Sequence, residues 1–594
     1  MMHESHSPQR QDALTLEGFS SSTRKKKGGW KSVKYILGNE TFEKLASMSL
    51  ISNLVVYMHT QYNMETTFSV EVFNIWSGFT NFLPLVAAYL ADAYIGKFRM
   101  LIFGCIASFL GMGFMSLGAG VPSLRPPTCS TLSDCIPIKP TALQLAILYT
   151  GLGFFAIGSG SLRPCNIAFG ADQFDIKTEK GRAQLESFCN WWYFLFTVAL
   201  LVSLTAVVYI QTNVSWFLGF IIPTGCFAVS LTIFVFGHGT YIRLKPKGSI
   251  ICDLLKVILA AIRKHHVDMK EDSELSFYDP PLSSNESEDS RHVKLSHTNR
   301  FRFFDKAAVI TNQSEIDNNG KSIDNWRLCS LQQVEELKSI LTTLPIWLAG
   351  IICFLSMGQA NSYGILQALQ TNKSIGQHFI VPSAWMGLVP MIFISLWILL
   401  YEKIYVPLTK KKTLKGKRLS IEQRLGIGII FSIASMVVAG LVEVRRRSNA
   451  LKHKTFESHT RIWWLVPQFG LSGLVEAFAA IPMMELLTSY WPESMKTLGG
   501  AVFFLSLSIA SSLSNVLIKI IVVVTKRNGG TPWLGGNDLN KNRLEYYYYT
   551  IAVLGGLNLL YFLFFARFFL CSEVLQRQGQ SEAGDEENNY QQSM

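Results

Sequence analysis

The sequence predicts an all-α membrane protein of twelve transmembrane helices in two six-helix bundles, on three observations. Charged residues make up only 16% of the 594, against roughly 25% in soluble globular proteins. Twelve apolar stretches are each long enough for a bilayer core of about 30 Å, which takes roughly 20 residues of helix. A long polar interval, 237–334, separates the first six stretches from the last six. The apolar runs exclude a disordered chain, a collagen or a small disulfide scaffold.

The elements follow in order. A polar tail, 1–34, precedes the N-terminal bundle, 35–236, whose spans fall near 35–62, 72–92, 99–120, 141–169, 185–210 and 214–236. The C-terminal bundle, 335–571, has spans near 335–358, 378–401, 421–442, 461–490, 498–524 and 546–570, and a tail at 572–594 follows it. Within the central interval, Ile250, Ile251, Leu254, Leu255, Ile258 and Leu259 recur at helical spacing. They predict a short amphipathic helix on the membrane surface or docked on the bundle. The rest of the interval, with its polar run at 279–290, has no apolar period and reads as largely flexible.

Arg24, Lys25, Lys26 and Lys27 before the first span favour a cytoplasmic N-terminus, and an even number of spans returns the C-terminus to that side. Lys97, Arg99, Lys177, Lys180, Arg182 and the basic run 410–418 agree. Arg445, Arg446 and Arg447, read as a loop between spans nine and ten, oppose it, as do Lys526 and Arg527. The ten cysteines form no CxxC and no His/Cys cluster, so no metal site is expected. Cys129 and Cys135, in a loop on the outer side of this topology, are a candidate disulfide. Asn213 and Asn372 head candidate glycosylation sequons on the same side.

Ionisable groups inside spans are costly and mark function by default. In Glu40-Thr41-Phe42-Glu43-Lys44 the charged positions i, i+3 and i+4 share one helical face, so two carboxylates and an ammonium converge. The competing reading is an interfacial cluster that snorkels. Arg163 lies in the fourth span beside Pro164 and needs a partner, for which the first-span glutamates are the candidates. Glu476 lies in the middle of the tenth span, where snorkelling does not reach water.

These segments resemble the proton-dependent oligopeptide transporter family of the major facilitator superfamily, in its plant nitrate/peptide transporter branch. Glu40 to Lys44 is similar to the family's first-helix motif of two glutamates and a basic residue. Ala91-Asp92-Ala93-Tyr94-Ile95-Gly96-Lys97-Phe98 resembles the signature between helices two and three. Pro164-Cys165 with Ala168-Phe169-Gly170-Ala171-Asp172-Gln173-Phe174-Asp175 resembles the plant signature after helix four. Phe188-Cys189-Asn190-Trp191-Trp192-Tyr193-Phe194 and Pro492-Glu493-Ser494-Met495 extend the likeness over the whole chain.

The resemblance implies the major facilitator fold and a symporter that alternates access around a cavity between the bundles. It implies that Glu40 and Glu43 take up the proton, with Lys44 and Arg163 completing the cluster, and that protonation loosens a Glu43–Arg163 pair. Glu476 stands where the family uses a tenth-helix glutamate for substrate. Two positions depart from the pattern: Met357 stands where nitrate-binding members place a histidine, and Leu195-Phe196-Thr197-Val198 replaces a more polar sequence. The overall character resembles the subfamily of glucosinolate, other glucoside and low-affinity nitrate carriers.

The expected substrate is therefore a glycosylated plant metabolite, with nitrate as the alternative and a transport-silent sensor behind both. Tyr57, Trp347, Asn361, Tyr363, Gln367 and Trp491 are candidate lining residues, each of which packing alone would also explain. No enzymatic constellation is present. No cofactor is expected beyond the coupling proton, and the partners are a small solute, protons and the bilayer, not nucleic acid. The cytoplasmic segments are candidate targets of kinases. The expected location is the plasma membrane, with the vacuolar membrane as the alternative.

Overall fold

The computed structural model describes residues 28–127, 138–174, 179–243, 250–266, 277–280, 297–312, 315–317, 320–375, 379–405, 407–408, 419–489, 496–527 and 532–568. Trp491, Cys129, Cys135 and the 492–495 segment lie outside them. The helices are α1 (Trp30–Gln61), α2 (Thr66–Leu90), α3 (Lys97–Gly120), α4 (Ala142–Ala171), α5 (Glu179–Val202), α6 (Trp216–Phe236), α7 (Ile250–Arg263) and α8 (Leu331–Gln359). They continue with α9 (Ile365–Leu369), α10 (Leu388–Leu400), α11 (Ile421–His453), α12 (Val466–Val475), α13 (Ile481–Ser489), α14 (Lys496–Arg527) and α15 (Leu544–Tyr561).

Ten segments among the described residues are helices long and apolar enough to cross a membrane. The first two predicted spans, α1 and α2, are 32 and 25 residues long but more polar than those ten. Local sequence sets several starts. Thr141, Ser330 and Ser420 each accept from the backbone of a Gln three residues on, whose side chain accepts from the cap backbone in return. These reciprocal bonds satisfy amides the first helical turn would leave open.

Helices α1, α2, α3, α4 and α6 pack on one another, as do α8, α11, α12, α14 and α15. Helix α3 approaches α4 closely because a Cβ on Gly111 would fall 2.8 Å from the Gly151 carbonyl oxygen, a separation only glycine allows. Between the two groups the broadest contact joins α2 to α14, where Asn74 Nδ2 lies 3.2 Å from Ser514 Oγ and Asn515 Nδ2 donates to the Glu71 carbonyl. The end remote from Trp30 is stitched across the groups. There Thr66 N–H donates to the Gly536 carbonyl, Asn213 to that of Ile380, and Trp385 to that of Thr205.

Two expectations need correction. Arg445, Arg446 and Arg447 are not in a loop, because α11 continues to His453. Arg446 is fully buried on Glu443, Arg447 lies 3.5 Å from Glu545 and Arg445 stacks on Trp464, so all three are held by partners within the fold and are not loop charge. The central interval is also more structured than its polarity suggests. Helix α7 docks on protein, and Val257, Ala260 and Ala261 bury against Ala307, Ala308 and the start of α8. Beneath them Lys338 Nζ lies 2.5 Å from Asp305 and 2.8 Å from Glu335, with His297 3.3 Å from Asp305. These carboxylates and the imidazole form a ligand-like group, but the Lys338 ammonium already occupies the place of a cation.

Candidate functional site

Helix α1 brings Glu40, Glu43 and Lys44 inside the bundle, 3%, 0% and 7% exposed. The snorkelling alternative requires contact with water that these side chains lack. Lys44 Nζ lies 2.8 Å from Glu43 Oε2 and 3.4 Å from Glu40 Oε1, so one ammonium serves two carboxylates. Asn166 of α4 donates to Glu40 Oε2. Neither oxygen of Glu43 has a hydrogen bond in addition to its ion pair. One turn before Glu43, Asn39 donates to Ser230 Oγ at 2.8 Å, fixing this face of α1 against α6.

With both carboxylates ionised, the three groups carry a net charge of −1 in an enclosed site, and one proton brings them to zero. Burial of unbalanced charge is expensive. The cluster is therefore suited to taking a proton from one side and giving it up when its surroundings change.

Arg163 does not make the expected pair. No ion pair joins it to Glu43 or Glu40; its guanidinium donates to Asn81 Oδ1 at 2.6 Å and lies over the Phe504 ring, 5.4 Å from the centroid. The reason is local: Lys44 already pairs with both glutamates from their own helix, and Asn81 of α2 offers an acceptor on the other side. Phe504 belongs to α14, so this arginine touches both groups of helices. Asn166, Asn81 and Phe504 were not among the sequence-predicted residues. Asn166 stands three residues after Arg163, a spacing that shares a helical face and is the one signal that would have found it.

The lining candidates scatter. Trp347 is half-buried on α8 and donates to Ser506 Oγ at 2.7 Å. Asn361 is exposed within the π-turn Ala360–Gly364 that follows α8. Tyr363 is fully buried edge-on to Tyr547, with centroids 5.3 Å apart. Gln367, also buried, accepts from Gln468 at 2.9 Å and from Tyr548 at 3.4 Å. Tyr57 is enclosed by Tyr62, Trp216 and Phe220 in the core, so it lines no open space in this conformation. Glu476 opens the π-turn Glu476–Ala480, and makes no ion pair or hydrogen bond with a described residue. Such turns widen a helix locally and often accompany functional positions.

Of the two candidate sequons, Asn213 uses its amide on the Ile380 carbonyl, and Asn372 accepts from Ser374.

With the geometry established, similarity to known proteins narrows the reading. The POT family model matches residues 98–534. Over 93% of this chain and 98% of the relative, the sequence is 52% identical to protein NRT1/PTR FAMILY 2.8 of Arabidopsis thaliana. Protein NRT1/PTR FAMILY 2.11 of the same plant is 40% identical, covering 91% of this chain and 88% of the relative. Among solved structures, the POT family transporter PepTSo matches with a TM-score of 0.64, 16% identity, and coverage of 91% of this chain and 98% of that one. That likeness is one of fold.

Proposed function

Since the chain belongs to the POT family, and is thus a membrane transporter and not an enzyme, we propose that it is a proton-coupled symporter working by alternating access. In this reading the bundles 35–236 and 335–571 rock about a solute site between them. The observation that carries it is the enclosed Glu40–Glu43–Lys44 cluster, one proton short of neutrality.

Arg163 supplies the link to motion. In this conformation it is held by Asn81 and Phe504, away from the glutamates. Rocking of the C-terminal bundle would withdraw Phe504 and free the guanidinium to turn toward Glu43, expelling the proton. Arg163 is then a switch between two partners, not a permanent mate of Glu43. The conformation described has its bundles joined at the end remote from Trp30, which we assign to the non-cytoplasmic side of a plasma-membrane protein.

The solute proposed is a glycosylated plant metabolite, with nitrate as the second reading. Trp347, exposed Asn361 and Glu476, which has no ion pair with a described residue, offer an aromatic face and polar groups suited to a sugar. Met357, at the position of the family's nitrate-binding histidine, offers no charge to nitrate. Competition uptake at acidic pH, offering nitrate, dipeptides and several plant glucosides, tests this. A glucoside should compete best, and Glu476→Gln should raise its half-saturating concentration about tenfold, the scale of one charge-assisted hydrogen bond. Competition by nitrate alone would contradict the glucoside reading.

A further inference from the structure

Away from the transport pathway, α11 and α15 enclose a groove of about 690 Å³ near the end remote from Trp30. Arg447, Lys452 and Arg543 line it, opposed by a single carboxylate, Glu545. Glu545 lies 3.5 Å from Arg447 and 3.6 Å from Arg543, so it is shared between two guanidiniums. Lys452 is exposed and has no ion pair with a described residue. Three cations against one anion leave an excess of two positive charges. Tyr546 and Tyr549 complete the wall, with Arg543 over the Tyr546 ring.

Two further features place this groove at the level of lipid headgroups. Helix α11 has 33 residues; at about 1.5 Å per residue it outruns a hydrocarbon core of about 30 Å, so its last turns emerge from the core. Trp463 and Trp464, 53% and 46% exposed just before α12, mark the interfacial belt at the same end, with Arg445 stacked on Trp464. Below the groove the lining continues as two exposed apolar stripes. Leu441 and Val444 run down α11, and Val553 and Leu557 run down α15. A phosphate alone would use the cations and leave the stripes without a role.

We propose that this groove binds an anionic glycerophospholipid, its phosphodiester held by Arg447, Lys452 and Arg543 and its acyl chains lying along the α11 and α15 stripes. The groove volume falls within the roughly 300–1,000 Å³ of small-molecule sites. The charge excess discriminates against a zwitterionic headgroup, whose ammonium would meet the same cations.

The test is native mass spectrometry of the full-length protein titrated with palmitoyl-oleoyl phosphatidylglycerol or phosphatidylcholine. The wild type should hold the anionic lipid about 25-fold more tightly, since each of the two uncompensated basic charges contributes on the order of a factor of five. Lys452→Gln with Arg543→Gln should abolish that preference, while Lys139→Gln, an exposed cation elsewhere, should preserve it. Lys452→Glu is the second variant, because this exposed side chain has no ion pair with a described residue and so carries no burden in folding; it brings the groove's charge to zero and should likewise abolish the preference. Equal binding of both lipids by the wild type, or an unchanged preference in both groove variants, would overturn the proposal. So would displacement of the bound lipid by millimolar inorganic phosphate, which would assign the cations to a soluble anion.

Discussion

Replacing Glu43 by glutamine is expected to abolish acid-driven solute accumulation while leaving solute exchange at equal concentrations intact. Glu43 is fully buried and, among the described residues, its ion pair is with Lys44 alone, so the isosteric amide fits the same space. What changes is the charge. Lys44 and Glu40 alone sum to zero, so the variant cluster is neutral without a proton and gains nothing by binding one. Coupling free energies between linked sites run to about 1–3 kcal/mol, or roughly 5- to 150-fold, and the loss should fall in that range. Uptake and counterflow into proteoliposomes, measured side by side, separate the two functions. A variant that still concentrates its solute in proportion to an imposed pH gradient would refute the assignment. Glu40 makes a less clean test, because Asn166 also donates to it and would be left facing an amide.

The second large effect is on folding. Arg446→Ala should cost about 3–5 kcal/mol, since removing one member of a buried pair strands the other. The guanidinium binds Glu443 through two bonds of 2.8 and 2.7 Å, and also donates to Asn540 Oδ1 at 2.8 Å. Its backbone carbonyl accepts from Ser458. The side chain therefore ties Asn540, in the segment before α15, to α11. A loss of that size is a large share of the roughly 5–15 kcal/mol that holds a typical protein folded. Thermal unfolding in detergent and the yield of monodisperse protein report it. Glu443→Gln combined with Arg446→Met should recover part of the loss, because no unpaired carboxylate then remains buried. Equal stability of Arg446→Ala and the wild type would show that this network carries no weight.

What could be read from the chain depended on how local each feature is. The spans expected from 141 and 421 begin within a residue of the helices Ala142–Ala171 and Ile421–His453, while α8 begins at Leu331, four residues before the expected 335, because the Ser330 cap extends it beyond the apolar run. The convergence of Glu40, Glu43 and Lys44 is equally local, a matter of one helical turn. The partner of Arg163 was not legible, because Asn81 is 82 residues away and Phe504 lies on the other group of helices. Arg445, Arg446 and Arg447 misled for the opposite reason. Three adjacent arginines look like loop charge, and only the fold reveals Glu443 one turn back and Glu545 across the groove. The segment after residue 297 looked flexible because its apolar residues are few, yet Asp305 and Lys338 bury together and hold it to α8.

Solute-driven proton movement tests the central assignment most directly. Proteoliposomes holding the full-length protein and a pH-sensitive dye would receive an inward gradient of the competing glucoside, with no imposed pH gradient. Coupling through Glu40, Glu43 and Lys44 predicts that the lumen acidifies as solute enters and that Glu43→Gln removes the acidification. Entry of solute at constant luminal pH in the wild type would contradict it.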